Sequence, residues 1–358
     1  MEHSKLPPSS AARRVVCPGS RALEARYPQS ESSTSREGTA AHYVASEMLR
    51  SGIHNSISEI APNGEPITQE MIEGAELYVS YISSFNLKET HIEERVNIFN
   101  IHPDCFGTPD AWGVTSDNQL HIFDYKYGHG FIDAYENWQM IEYAAGIYNQ
   151  LRTTITSIYV HIIQPRNYHR DGPIRKWEIT DIEKYITILR HAENLASHED
   201  APCWPSDQCG YCKGRHACQT LQQSSLNITD ISKLNTPVDL SAEELGNELR
   251  YLKHAEMLLN ARITGLEEEA KNKLFWGEKV PFFRLESTQP REQWDIDISE
   301  IIALGELFGC DVLKPQEVLT PRQVSKLGVP KEIINSYSKR PKGSVKLITD
   351  DAKRVFNK

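Results

Sequence analysis

Two neighbouring stretches decide how this chain is read: Phe106-Gly107-Thr108-Pro109-Asp110-Ala111-Trp112-Gly113-Val114 and Leu120-His121-Ile122-Phe123-Asp124-Tyr125-Lys126. Both read as strands, and Ser116-Asp117-Asn118 between them is a turn-forming run. With residues 92–101 ahead of them, beyond the Pro103-Asp104 break, they predict a meander of three antiparallel strands. A hairpin of this kind brings Asp110, inside one strand, beside Asp124, near the end of the next. Adjacent carboxylates repel each other strongly unless a divalent cation lies between them. Lys126 can hold a water nearby and stabilise negative charge developing on a phosphate. Two carboxylates and a lysine are the parts for metal-assisted hydrolysis of a phosphodiester. The same residues could also be a surface ion pair.

Working outward, residues 37–49 carry Ala40, Ala41, Val44, Ala45, Met48 and Leu49 at the spacing of one helix face, with His42 on the first turns. Residues 69–85 read as a second helix. After the meander come a helix over 134–151, a β-branched strand over 155–163, a loop bearing Arg166, Arg170, Arg175 and Lys176, and a helix over 181–197. Gln139 and Tyr143 lie four apart, hence on one helix face. The body is therefore mixed α/β. The stretch 223–240 has the Ser, Thr, Asn and Pro composition of a linker, which divides the chain into a domain at 1–222 and a second at 241–358. Ser241 and Glu244 have capping-box spacing and open a long helix to about Phe275. Beyond it, residues 280–285, short helices near 298–307 and 323–327, and a basic end form a small α/β appendage.

The 358 residues are 39% hydrophobic and 25% charged, and the mean hydropathy is -0.50. This is a globular composition, too apolar for disorder and too polar for a membrane protein. No apolar run reaches the roughly 18 residues of a bilayer span, and the first residues lack a signal-peptide core, so a cytoplasmic protein with no membrane partner is expected. A net charge of -10 argues against non-specific coating of nucleic acid. The charge is uneven, however. Residues 312–358 hold eleven Lys/Arg against four Asp/Glu, a local +7 that leaves -17 on the rest. The basic end is either a polyanion-binding surface or simply a solvated terminus.

Seven cysteines, four of them between Cys203 and Cys218, indicate metal or cluster ligation rather than a disulfide framework. Cys209, Cys212 and Cys218 offer three thiolates from one segment, and a structural site of this softness needs about four ligands. Spacing alone permits zinc on Cys203, Cys209, Cys212 and Cys218, with His216 as a substitute ligand. Cys105 reads as a small buried hydrophobe, and neither it nor Cys310 is expected to ligate.

Taken in order, Gly38-Thr39-Ala40-Ala41-His42, Gly107-Thr108-Pro109-Asp110, Asp124-Tyr125-Lys126 and Gln139-x3-Tyr143 resemble the motifs of the RecB-type nuclease domain in the PD-(D/E)XK superfamily. The resemblance implies a restriction-endonuclease-like core, with a mixed central sheet flanked by helices, followed here by the long helix and the appendage. It implies that His42, Asp110, Asp124 and the carbonyl of Tyr125 hold Mg2+ or Mn2+. Lys126 would then be catalytic, and Gln139 and Tyr143 would help hold the DNA backbone and the active site. Glu93 matches an acidic position ahead of the first acid in relatives. In iron-sulfur relatives a fourth cysteine near the N-terminus joins the C-terminal triplet, and Cys17 in Val16-Cys17-Pro18 matches it. Cys17, Cys209, Cys212 and Cys218 would thus bind a 4Fe-4S cluster that staples the ends of the nuclease domain together. Over nearly its whole length the chain is similar to a phage and prophage family of RecB-like exonucleases. The implied function is a metal-dependent DNA exonuclease in phage DNA recombination or processing, with DNA and a single-strand annealing protein as partners. A CRISPR-type spacer-processing nuclease shares these motifs but is usually shorter. A zinc-stabilised, non-catalytic DNA-end-binding or scaffold protein is the alternative of another class.

Overall fold

The computed structural model describes residues 4–27, 33–51, 59–151, 155–167, 172–231, 240–286 and Glu332. The chain divides into two units, Met1–Arg284 and Leu285–Lys358. The expected short helices at 298–307 and 323–327, Cys310, Arg170 and the basic residues of 312–358 lie outside the described residues.

Four helices precede the sheet: α1 (Ala11–Val16), α2 (Ser20–Glu24), α3 (Ser33–Ser51) and α4 (Gln69–Ser83). The strands follow as β1 (Leu87–Ile92), β2 (Val96–Asn97), β3 (Phe106–Gly107), β4 (Ala111–Thr115) and β5 (Gln119–Tyr125). Helix α5 (Trp138–Leu151) then leads to β6 (Ser157–Ile163) and β7 (Ile174–Glu178), before α6 (Ile182–Ser197), α7 (Gln219–Ile231) and α8 (Ala242–Phe275). The five-stranded sheet has the order β1-β4-β5-β6-β7, while β2 and β3 form a separate ribbon. The pairs β1/β4, β4/β5 and β6/β7 are antiparallel, and β5/β6 is parallel. A parallel neighbour needs a crossover, which α5 supplies. The sheet is thus mixed and flanked by helices, as the sequence predicts.

Side-chain alternation along β5 and β6 divides the core into two layers. Leu120, Ile122, Ile158, Val160 and Ile162 pack with Met140, Ile141 and Ile147 of α5 and with Ile186 and Leu189 of α6. Phe123, Tyr125 and Ile163 face the other way, into Ala40 and Val44 of α3 and Met71, Tyr78 and Ile82 of α4. Each such fully buried aliphatic side chain contributes about 1.5–3 kcal/mol over an exposed one. Capping fixes where helices begin: the Thr68 hydroxyl accepts from Met71 N–H at 3.3 Å and Asp181 from Lys184 N–H at 3.1 Å. Ser241 and Glu244 form the expected reciprocal box, at 3.3 and 2.9 Å. Among the described residues no helix is long and apolar enough to cross a membrane.

Several expectations are corrected. The strand expected at 92–101 is instead β1, ending at Ile92, and the short β2; Glu93 between them has φ of 51°, where no strand continues. The strand expected over 106–114 is divided at Thr108–Asp110 into β3 and β4. β7 occupies part of the expected basic loop. Its Arg175 is buried and donates from Nε to Ile132 O at 2.6 Å and from Nη2 to Gln164 Oε1, so it braces the interior rather than facing a ligand. Arg166 is engaged by Glu37 at 2.9 Å and Glu70 at 3.3 Å.

The first half of the expected linker, 223–231, belongs to α7, whose Leu221 packs on Leu258 and Ala261 of α8, and 232–239 lie outside the described residues. Arg262 of α8 donates to Arg215 O at 3.3 Å in the cysteine segment. The long helix therefore belongs to the first unit, and the division falls after Arg284 rather than at 223–240. Residues 280–285 hold a turn and no strand.

Candidate active site

The register Ala111↔Phe123 sets the geometry. Asp110 immediately precedes β4, so the same antiparallel pairing carries it opposite Asp124. Asp110 Oδ2 accepts from the Tyr125 backbone N–H at 2.7 Å, and its Oδ1 lies 3.2 Å from His42 Nδ1 on α3. Asp124 shares a strand face with Ile122 and Lys126, toward α5. Its Oδ1 accepts from Gln139 Nε2 at 3.3 Å, and Lys126 Nζ lies 3.0 Å from its Oδ2. Gln139 Oε1 in turn accepts from Lys126 Nζ at 3.3 Å, so Gln139 bridges the acid and the lysine.

Gln139 depends on the connection from β5 to α5. Buried Gln164 donates to Gly128 O at 3.1 Å and Gly130 O at 2.6 Å, Arg175 holds Ile132 O, and Asn137 accepts from Met140 N–H at 3.2 Å to start α5. One turn on, Tyr143 OH donates to Thr108 O at 3.1 Å and fixes the backbone two residues before Asp110. The same ring explains Gly107, where an added Cβ would come within 2.8 Å of both Tyr143 Cε1 and Pro8. Glu93 is brought to the same strand end, since its N–H donates to Asp110 O at 3.1 Å, but its carboxylate is taken by Arg50 at 2.9 Å. The Tyr125 ring is turned to the opposite face, against His42 at 5.5 Å and Tyr78 at 5.2 Å between centroids.

The two acids are held differently. Burial pushes the Asp124 carboxyl up to about 6; Lys126 opposes that shift and Asp110 adds to it. At Asp110 burial acts in the same upward direction but is outweighed by His42, which contributes charge and a hydrogen bond, and the pKa is lowered. His42 is raised: burial opposes this, and the Asp110 charge and hydrogen bond prevail. Lys126 is raised likewise, with burial outweighed by Asp124 and Asp110. Buried Asp124 Oδ2 has the ammonium beside it but no aligned hydrogen-bond donor, an orphaned acceptor that suits a hard cation. The donor set of two carboxylates and one imidazole fits Mg2+ or Mn2+. Among the described residues no three His, Cys, Asp or Glu side chains already stand as a cage for a single ion, so binding one would mean drawing Asp124 away from Lys126.

The second constellation is a cavity ringed by Cys17, Cys203, Cys209, Cys212 and Cys218. Cys17 ends α1, and Gly19 N–H donates to Pro202 O at 2.9 Å, which ties the N-terminal segment to the cysteine segment. Only glycine fits there, because a Cβ would lie 2.4 Å from Ala201 O and 2.7 Å from Cys203 Sγ. Backbone N–H groups of Trp204, Ser206 and Leu221 point at the sulfurs of Cys17, Cys209 and Cys218, at 3.3, 3.3 and 3.5 Å. Such N–H···S bonds stabilise thiolates and tune bound metal. A hydrogen bond from Cys203 is the main cause that lowers Cys17 to about 7 and Cys218 to about 6, while burial raises Cys212 to about 12.

Five thiols thus converge where four were expected with either metal. Sequence spacing gave Cys203 to zinc alone, and nothing in it signalled that Cys17 and Cys203 would share one cavity. His216, the substitute ligand that spacing permits, is not among the residues that line the cavity: its ring lies edge-on to Tyr27 at 4.4 Å between centroids, and its Nε2 lies 3.9 Å from Glu269. Cys105 is buried, as expected, and its thiol lies 3.5 Å from Glu142.

A polar network that the motifs do not mark joins the helices behind this centre. Fully buried Arg14 of α1 donates to Glu193 of α6 at 2.6 Å, to Glu142 of α5 at 3.1 Å and to Pro7 O at 2.8 Å.

Fold and site together define a mixed α/β protein with a carboxylate–lysine centre at one end of its sheet and a thiol cavity between its N-terminal segment and its cysteine segment. The chain belongs to the family described as "Protein of unknown function (DUF2800)", which it matches over residues 3–355. A solved structure from Eubacterium rectale, called a "putative exonuclease", is similar over 67% of this chain and 92% of that one, with 10% identity and a TM-score of 0.36.

Proposed function

We propose that this protein is a metal-dependent DNA nuclease of the PD-(D/E)XK type, acting as an exonuclease. The observation that carries the reading is the meeting of Asp110, Asp124 and Lys126 at the ends of β4 and β5, with His42 and Gln139 bonded to the acids. Mg2+ or Mn2+, held by His42, Asp110, Asp124 and the Tyr125 carbonyl, would polarise the scissile phosphate and acidify a bound water. The chain's own groups do the rest. Tyr125 N–H and His42 fix the Asp110 carboxylate, and Gln139 keeps Asp124 and Lys126 in register. The Lys126 ammonium presents donors at Nζ to the attacking water and to a phosphate oxygen as charge grows there. Tyr143 acts as a positioning residue through the Thr108 carbonyl.

We further propose that the thiol cavity binds a 4Fe-4S cluster rather than zinc. The N–H···S bonds and the ring of five thiols around one cavity support thiolate ligation of such a group. The basic residues of 312–358 and a single-strand annealing partner remain part of the proposal for DNA handling.

The test is cleavage of end-labelled DNA with Mn2+ by the wild type, Asp124→Ala and Lys126→Ala. Both variants should lose cleavage by about 10²-fold or more while staying folded. Wild-type activity in either one overturns the reading.

A further inference from the structure

Away from the carboxylate centre, a cavity of about 780 Å³ opens between the N-terminal segment, α2 and the cysteine segment. Lys5, Arg13, Arg21, Arg26 and Lys213 line it, against Glu24 and Glu199. Buried Arg14 also reaches it but is matched by Glu142 and Glu193. Arg13 is 3.3 Å from Glu24, and Lys5 is 3.6 Å from Asp104. Among the described residues neither Arg21 nor Arg26 has an ion-pair partner. In a chain of net charge -10 this is a local concentration of cations with part of its charge uncompensated.

Its position is as informative as its charge. Pro7, Ser9 and Ser10 form one rim. Pro8, between them, packs at Gly107 beside the Tyr143 ring, and Tyr143 holds Thr108, two residues from Asp110. The cavity therefore begins beside the segment that packs on Gly107 at the end of β3, three residues before the first acid, and runs toward Lys213, beside the thiol segment. Pockets for small molecules are enclosed and mostly apolar, whereas this one is open and charged. A row of cations with an aromatic among them, here Tyr27, suits the backbone and bases of a single strand.

We propose that this cavity is a channel for the phosphodiester backbone of single-stranded DNA passing to or from the carboxylate centre. The proposal rests on the nuclease reading for its ligand but is measured by binding rather than cleavage. Arg21 and Arg26 are the phosphate contacts, and Lys213 extends the track.

The experiment follows the anisotropy of a fluorescein-labelled oligothymidine of about 16 nucleotides as salt is varied, without divalent metal, on the full-length protein. Each single-strand phosphate contact contributes about 0.7 to the slope of log K against log salt, so Arg21→Gln with Arg26→Gln should lower the slope by about 1.4. If the curves meet at about 1 M salt, affinity at about 0.1 M falls about 25-fold. Arg21→Lys with Arg26→Lys should restore the slope, because a phosphate contact needs charge more than shape. If the double Gln variant does not fold, as judged by its thermal melt, exposed Arg26→Gln alone should lower the slope by about 0.7.

An unchanged slope in a folded variant overturns the proposal, as does a wild type that fails to bind the strand. Displacement of the strand by pyrophosphate at an equal concentration of phosphate groups would mean a small-ligand site and overturns it as well. A wild type that binds with the full slope but cleaves with no metal would sink the nuclease reading and leave the channel standing.

Discussion

Arg14 gives the sharpest test of the interior. It is buried with Glu142 and Glu193, and both carboxylates are buried too. Arg14→Met keeps most of the volume but removes the only cation of the trio, while Pro7 O keeps its bonds from the Ser10 N–H at 3.0 Å and the Ser10 hydroxyl at 3.1 Å. Breaking a buried ion pair from one side costs about 3–5 kcal/mol. In urea, with a slope of about 3 kcal/mol per molar, the midpoint should fall by about 1–1.7 M.

The loss should also depend on pH. Burial holds the Glu142 carboxyl well above the usual range, although Arg14 pulls it down, so it keeps a proton that the unfolded chain has released. A raised carboxyl contributes stability in acid and loses it as pH rises toward the folded pKa. Removing Arg14 takes away the charge that pulls Glu142 down, so its carboxyl rises further and the loss of stability extends to higher pH. Midpoints measured at two pH values, about 6 and 8, should therefore diverge further in the variant than in the wild type. Adding Glu142→Gln and Glu193→Gln should recover most of the stability. A midpoint shift below about 0.3 M, or one that is the same at both pH values, would refute a charged, interdependent trio.

Two further outcomes follow from the geometry. His121 and His161 are buried, 2.9 Å apart, with Tyr81 OH 2.9 Å from the far side of His161; burial lowers His121 to about 4 and sends His161 lower still than the usual imidazole value. Folded-state values below the unfolded ones mean stability that is present above about pH 6.5 and lost as pH falls, by about 3 kcal/mol for His121 down to pH 4; acid titration of urea midpoints should show this, and His121→Gln with His161→Gln should flatten it. For the proposed iron-sulfur cluster, Gly19→Ala, which forces a Cβ toward Ala201 O and Cys203 Sγ, should lower iron per chain relative to the wild type in anaerobic preparations; full wild-type iron content in that variant would contradict the tight packing at the thiol cavity, and a wild type without iron would overturn the proposed cluster.

How far the sequence could be read follows from where side-chain period and chemistry agree. In β5 and the residue after it, Ile122, Asp124 and Lys126 alternate with Phe123 and Tyr125, so strand, core face and candidate site were legible together. α5 was equally clear, because Met140, Ile141, Tyr143, Ala144 and Ile147 leave no doubt about the apolar face. β1 was misplaced because Leu87-Lys88-Glu89-Thr90-His91-Ile92 is an edge strand with few buried positions, and its polar pattern imitates a loop. β7 was lost for a related reason: Arg175 and Lys176 read as solvent-facing charge, yet one spans the interior to Ile132 O and the other lies on the Tyr159 ring at 3.8 Å. The Arg14 trio could not be found, since its members are 128 and 179 residues apart and no local spacing signals a tertiary ion pair.

The thiol cavity has a consequence in time. Cys17 leaves the ribosome first, and its neighbours in the cavity, Cys203 to Cys218, follow about 200 residues later. At about 5–20 residues per second that is a delay of about 10–40 s, during which every strand and His42, Asp110, Asp124 and Lys126 have already been made. The sheet can therefore assemble before the N-terminal and cysteine segments are joined, and α8 docks on that join only later, through Arg262 and Leu258. Until the join forms, Cys17 waits as an unshielded thiol.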